Sequence, residues 1–159
     1  MAADYAIREA LPEDAEALSL FLRLSDYLEI WRAEGSRPDV SLGAALDHSA
    51  RAWTVTDGEG EILFMAGVCP VGPSLAVPWL MGTAAVDQHP VAFTRAAKKL
   101  LREMLSFGTL VNYADALNDR SIRWLSKLGF TVSGETAGLG PGASPFHPFF
   151  MRNAECALC

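Results

Sequence analysis

Asn118-Asp119-Arg120-Ser121-Ile122-Arg123-Trp124-Leu125-Ser126-Lys127-Leu128-Gly129-Phe130 holds a helix start, an amphipathic helix and a helix stop in one short run. Asn118 is suited to the cap, because its side-chain oxygen can accept from a first-turn amide that has no partner inside the helix. Asp119 adds negative charge at the positive end of the helix dipole. Ile122, Leu125 and Leu128 recur at helical spacing and form one apolar stripe. Lys127 lies near the negative end, and Gly129 falls where a left-handed residue closes a helix without a Cβ clash. Phe130-Thr131-Val132 then reads as a strand.

Working outward, the same logic divides the rest of the chain. Phe93, Ala97, Leu100, Leu101, Met104 and Leu105 repeat at helical spacing with Arg95, Lys98, Lys99 and Arg102 on the other side, and Gly108 stops that helix before a strand at Thr109–Ala114. Trp53–Thr56 and Glu61–Ala66 flank Asp57-Gly58-Glu59-Gly60 and predict an antiparallel hairpin. After the Gly72-Pro73-Ser74 turn, Val77 to Val86 predicts a further strand. At the N-terminal end, residues 5–9 read as a strand and Pro12 to about Leu24 as a helix, with proline at a favoured first position. Asp26 to Ala33 predicts a second helix ended by Glu34-Gly35-Ser36-Arg37-Pro38, and Leu42 to His48 a short third piece. Gly138 to Pro145 is rich in glycine and proline and predicts a mobile loop, followed by a last strand at Phe146–Arg152. Late strands that alternate with helices define an α/β fold with a mixed central sheet flanked by helices.

At 159 residues, half of them apolar, the chain is expected to build one domain over residues 1–155, with 156–159 as a frayed tail. The net charge of −6 argues against a general nucleic-acid binder. No apolar run approaches membrane-spanning length and no signal-peptide pattern opens the chain, so a cytoplasmic protein is expected. The three cysteines do not make a disulfide framework. Cys69 reads as a small buried hydrophobe, and Cys156-Ala157-Leu158-Cys159 has the spacing of half a metal site that no second cluster completes. No metal site is expected. Trp31, Trp53, Trp79 and Trp124 read as core anchors, with Trp31 also placed to line a pocket.

The Asn118 to Phe130 run resembles the C-terminal signature of the Gcn5-related N-acetyltransferase (GNAT) superfamily. Tyr5-Ala6-Ile7-Arg8-Glu9-Ala10 and the Pro12–Leu18 segment resemble that superfamily's first strand and helix. The resemblance implies an acetyl-coenzyme A cleft between the fourth and fifth strands. It places the cofactor on Ala85, Val86 and Asp87, with Arg95 as a compensating cation and Asn118 near the cofactor arm. The following loop, Asp87-Gln88-His89-Pro90-Val91-Ala92-Phe93, departs from the family pattern because it contains no glycine. Leu125 stands where many relatives carry a tyrosine as general acid, and Tyr113 is an alternative. Asp87, His89 and Asp115 are the nearest candidates for a general base, and no single catalytic residue stands out. Asn118 has two readings, a helix cap and a cofactor contact.

Two functional readings follow. One is an acetyl-coenzyme A dependent N-acyltransferase acting on a small amine or a peptide N-terminus. The other is a non-catalytic protein of the same fold used for binding or assembly, with a protein partner or a homodimer. Trp79-Leu80-Met81-Gly82-Thr83, Leu110-Val111-Asn112-Tyr113 and Asn118 resemble segments of phage internal virion proteins, which would extend the second reading to a phage or prophage origin and a place in the virion.

Overall fold

A computed structural model of the chain describes residues 5–153. In chain order the elements are β1 (Tyr5–Glu9), α1 (Pro12–Leu20), α2 (Leu24–Glu34), α3 (Pro38–His48), β2 (Arg51–Asp57), β3 (Ile62–Gly72), β4 (Leu75–Gly82), α4 (Pro90–Met104), β5 (Thr109–Asp115), α5 (Asp119–Leu128), β6 (Thr131–Val132), β7 (Ala137–Leu139) and β8 (Ser144–Met151). They form one mixed sheet in the order β1-β2-β3-β4-β5-β8-β6, with β7 also on β8. Every neighbouring pair is antiparallel except β4 and β5.

The period-two alternation of β3 divides the core. Phe64, Ala66 and Val68 pack with Val55, Leu110 and the apolar face of α4 (Phe93, Ala96, Leu100, Met104), joined by Leu125 of α5. Met65 turns to the other side of the sheet, where it meets Trp79 and the α1 and α3 residues Ala15, Leu18 and Leu42. Burying each of the Val, Leu, Met and Phe side chains among them contributes roughly 1.5–3 kcal/mol. Gly67 makes the second layer fit. The Trp79 indole lies flat over it, and a Cβ at that position would sit 2.4 Å from Nε1, which donates to Ser49 Oγ at 2.8 Å.

The boundaries differ from expectation where tertiary contacts act. α1 ends at Leu20, because the chain must turn to let Leu22 bridge to Thr83. β4 stops at Gly82, four residues before the expected end at Val86, and Ala84–Asp87 winds into a 3-10 turn whose buried Val86 packs over Gly82. The Gly138–Pro145 segment is a hairpin, not an irregular loop: β7 pairs β8, and Ala143 donates to the Gly140 carbonyl at 3.2 Å. Gly140 answers a packing demand, since it has φ +73 and its hydrogen faces the Arg32 carbonyl so closely that a Cβ would lie 2.1 Å away. Trp31 is 57% exposed, whereas Trp53 and Trp79 are buried. Cys69 is half-buried, and Cys156 and Cys159 lie outside the described residues.

Asp14 fastens α1 to the sheet. Its carboxylate accepts from both Arg8 Nη atoms (2.7 and 2.8 Å), from the Leu11 amide at the helix start (2.8 Å) and from Thr54 Oγ1 (2.8 Å). The Arg8 guanidinium, ahead of the Leu11 and Thr54 donors, holds the Asp14 pKa down at about 2 against the opposing effect of burial. A depressed carboxylate stabilises the fold above its unfolded pKa and loses that contribution as pH falls through the folded one. Asp14→Asn is therefore expected to lower the unfolding free energy at pH 7 by about 2 kcal/mol, and the wild type to shed a similar amount between about pH 4 and pH 2, both measurable by urea denaturation.

Candidate functional site

β4 and β5 run together only at their starts, pairing Leu75 with Thr109 and Ala76 with Leu110. There they are pressed close: the Thr109 amide donates to the Ser74 carbonyl at 2.9 Å, and Gly108, at φ +124, would place a Cβ 2.3 Å from Ser74 C. Beyond this point the strands diverge, and Asn112 Nδ2 reaches across to the Pro78 carbonyl at 2.6 Å. Because the Thr83 amide donates to Leu63 in β3, alternation turns the main-chain groups of Gly82, Leu80 and Pro78 towards β5. Pro78 has no N–H to leave exposed on that side. The Gly82 amide donates to Asp26 Oδ2 at 2.8 Å and its carbonyl accepts from the Arg23 amide at 2.9 Å. Leu80 lies between them, on the β4 edge from which β5 has diverged.

Helix α2 spans the opening. Its N-terminal end is tied to β4 through Asp26 and Arg23, and its C-terminal part to β5, where Arg32 Nε donates to Asp115 Oδ2 at 2.6 Å and Arg32 Nη2 binds the same oxygen. Glu29 falls between these ties, on the flank of α2 that lines the cleft together with Leu80, Asn112, Tyr113 and Leu125, around about 120 Å³ of space. Its pKa is pushed up to about 7, first by burial and then by the negative charges of Asp26 and Asp115; the Asp115 amide and Arg23 oppose this only in part. Burial also raises the Asp26 carboxyl, against Arg23 and the Gly82 amide. Tyr113 stands 43% exposed beside Glu29 on the cleft wall.

A wider space of about 720 Å³ opens between α2, the 3-10 turn, α4 and α5, lined by Arg23, Asp87, Phe93, Asn118, Arg120, Ser121, Arg123, Trp124 and Lys127 among others. It is a basic mouth in an acidic chain. The start of α4 offers it few amides. Those of Val86, Gln88, His89 and Phe93 are taken by Thr83, by Ala85, by Val86 and by His89 respectively, and Pro90 has none. Gln88, His89, Val91 and Ala92 line a different depression near the β2–β3 turn. Phe93 turns inward, stacks on Trp124 at 4.4 Å and 8°, and meets Phe64 edge-on at 5.1 Å, while Trp124 Nε1 donates to Thr94 Oγ1 at 3.1 Å.

Of the residues the sequence singled out, Val86, Asp87 and Asn118 come together at this mouth. Ala85 packs against the main core, and Arg95 stays exposed on α4, away from the mouth. Asn118 caps α5, its Oδ1 accepting from the Ser121 amide at 3.1 Å, while it also lines the mouth. Asp115 is fully engaged by Arg32 and the Leu117 amide. Sequence reasoning missed Glu29, Arg23 and Arg120. No local signal marked Glu29, because Arg32 three residues on reads as its ion-pair partner until the fold commits that arginine to Asp115. Among the described residues no cluster of three or more His, Cys, Asp or Glu is placed to hold a metal, and no helix is long and apolar enough to cross a membrane.

Comparison with known structures names the architecture. The chain superimposes on a spermidine N-acetyltransferase chimera from Vibrio cholerae and the human enzyme with TM-score 0.73 at 11% identity, covering 96% of this chain and 98% of that one. A GCN5-related N-acetyltransferase from Kribbella flavida matches with TM-score 0.69 at 19% identity over 94% and 98%. A ribosomal-protein-S5-alanine acetyltransferase from Vibrio fischeri matches with TM-score 0.70 at 16% identity over 98% and 96%. No protein-family model and no curated protein matches the sequence. The fold is that of the GNAT acetyltransferases, a single-domain α/β arrangement with a mixed sheet flanked by helices.

A carboxyl with a raised pKa costs stability once it ionises, so the stability present near pH 4.5 falls as pH rises through 7, by about 3 kcal/mol at most for Glu29. Glu29→Gln is expected to melt higher than the wild type at alkaline pH and to lose that pH dependence in thermal unfolding scans. Asn118→Ala is expected to lower stability by about 1 kcal/mol through loss of the cap, read in the same scans.

Proposed function

We propose that the protein is an N-acyltransferase that uses acetyl-coenzyme A and acts on a small amine or a peptide N-terminus. The observation that carries this reading is Glu29, a carboxyl half-ionised near neutral pH, on the wall of the cleft where β4 leaves a main-chain edge open. A base poised near the working pH is suited to take the proton that a primary amine must lose as it attacks a carbonyl. Glu29 receives that proton on a carboxylate oxygen, and the Asp115 amide beside it steadies the charged form. The Tyr113 hydroxyl, which lines the same cleft, is placed to protonate the thiolate that would leave as the thioester C–S bond breaks. Leu80 offers a main-chain N–H and C=O to an extended, amide-bearing arm, as an open strand edge does to a peptide.

The donor set fits coenzyme A in a specific way. The open β4 edge suits the narrow arm, and the cations of the mouth, Arg23, Arg120, Arg123 and Lys127, suit its phosphates. Bound there, the cofactor supplies an acyl group activated as a thioester. The likeness to spermidine and ribosomal-protein acetyltransferases supports the reaction class, and the acceptor remains a small amine or a peptide N-terminus. Val86 and Asn118 shape the mouth, and Asp87 tempers its charge. A soluble cytoplasmic enzyme accords with this.

A second reading has its own support. The engaged amides of Val86, Gln88, His89 and Phe93, with Phe93 stacked on Trp124 where the helix faces the mouth, favour a non-catalytic protein of this fold, used for binding or assembly. The phage-like segments around Trp79 and Asn112 point the same way.

Calorimetric titration with acetyl-coenzyme A and free coenzyme A separates the two. Binding tighter than about 100 μM, roughly −5.5 kcal/mol, is expected for the enzyme; absence of heat with an unchanged melting temperature would favour the binding protein. With an accepted amine, kcat/KM is expected to rise with pH through about 7, and Glu29→Gln to cost about 100-fold or more and flatten that limb.

A further inference from the structure

The basic mouth already contains an anion. Asp87 Oδ1 lies 3.2 Å from Arg120 Nη1 and 3.8 Å from Arg23 Nη1. The two arginines are held very differently. Arg23 is mostly buried: Nε donates to Asp26 at 2.8 Å and the guanidinium lies 5.7 Å from the centre of the Phe93 ring, so its position does not depend on Asp87. Arg120 projects from the first turn of α5 with 71% of its side chain exposed and is free to follow whichever anion it meets.

We propose that Arg23 and Arg120 form a clamp for the linked phosphates of a polyphosphate ester, and that Asp87 is an internal anion that occupies this clamp and is displaced when the ligand enters. The identification of that ester with coenzyme A rests on the acyltransferase reading above. Guanidinium groups bind carboxylates and phosphates through the same planar donors, so the two anions compete for one pair of sites. A diphosphate brings more charge and more acceptor oxygens than one carboxylate and prevails. A monoanion gains too little from the pair to displace the carboxylate, so the latch raises the affinity a ligand must have before it is held. Side chains thus take over at this mouth the part that the engaged amides of Val86, Gln88, His89 and Phe93 do not supply, those of Val91 and Ala92 lying towards another depression.

The test is titration calorimetry with coenzyme A, ADP and inorganic pyrophosphate at about 50 mM salt, where exposed charges are weakly screened. The proteins are the wild type, Asp87→Asn, Arg120→Gln and the double variant; both positions are solvent-exposed, and thermal melts check that each variant folds. Asp87→Asn is expected to tighten binding about fivefold, the equivalent of ~1 kcal/mol for an exposed ion pair. Arg120→Gln is expected to weaken it, and in that background the gain from Asp87→Asn should shrink by at least half. Equal affinity of wild type and Asp87→Asn, or a gain of the same size in both backgrounds, would overturn the latch and leave the acyltransferase reading standing. ADP and pyrophosphate binding with the expected coupling, but no coenzyme A binding, would uphold the clamp and remove that reading. No binding of any of the three by any variant would overturn the clamp.

Discussion

Everything functional in this molecule depends on one helix laid across a gap in a sheet. Two parallel strands that separate after two residue pairs leave a wedge that collapses or fills unless something spans it. α2 does so with a tie at each end, Asp26 and the Arg23 amide to Gly82 of β4, and Arg32 to Asp115 of β5. Buried ion pairs contribute little net stability, because desolvation consumes most of the Coulombic gain, but breaking one is costly. Their value here is geometric: they fix the distance between β4 and β5 and the rotation of α2 about its axis.

That rotation explains the chemistry of the cleft. With Asp26 and Arg32 committed to opposite walls, the helical repeat leaves Glu29 facing the space between them. The neighbouring acids Asp26 and Asp115 each have an arginine partner, at 2.8 Å or closer. Glu29 has only the more distant influence of Arg23 and feels the two paired carboxylates as unfavourable charge. The same framework that stabilises the domain therefore destabilises one ionised group within it, which is how a fold holds a base near neutrality.

Much of this was readable from local sequence. Asn118 to Gly129 encodes its helix completely, cap and stop included, because those signals act within one turn. The β2–β3 hairpin and the apolar face of α4 are equally local. What could not be read were features created by distant neighbours. The Gly138 to Pro145 composition suggests irregularity, yet Gly140 passes so close to the Arg32 and Ala33 carbonyls of α2 that no side chain fits there. The end of β4 at Gly82 follows from a carboxylate on another element. Glu29 and Arg23 look like ordinary surface charges of a short helix until the helix is placed over the cleft, and the arginines of the mouth meet only when α2, the 3-10 turn and α5 converge.

The indole of Trp79 resting on Gly67 has an evolutionary consequence. With the space above that glycine taken up by an aromatic ring whose Nε1 is held by Ser49, neither position can change alone. Any side chain at residue 67 must await a smaller residue at 79, and a smaller residue at 79 opens a void over β3 until something grows from 67 to fill it. Descendants of this chain should carry the pair together or exchange both, so these two interior positions, one in β3 and one in β4, are where covariation between relatives would register first.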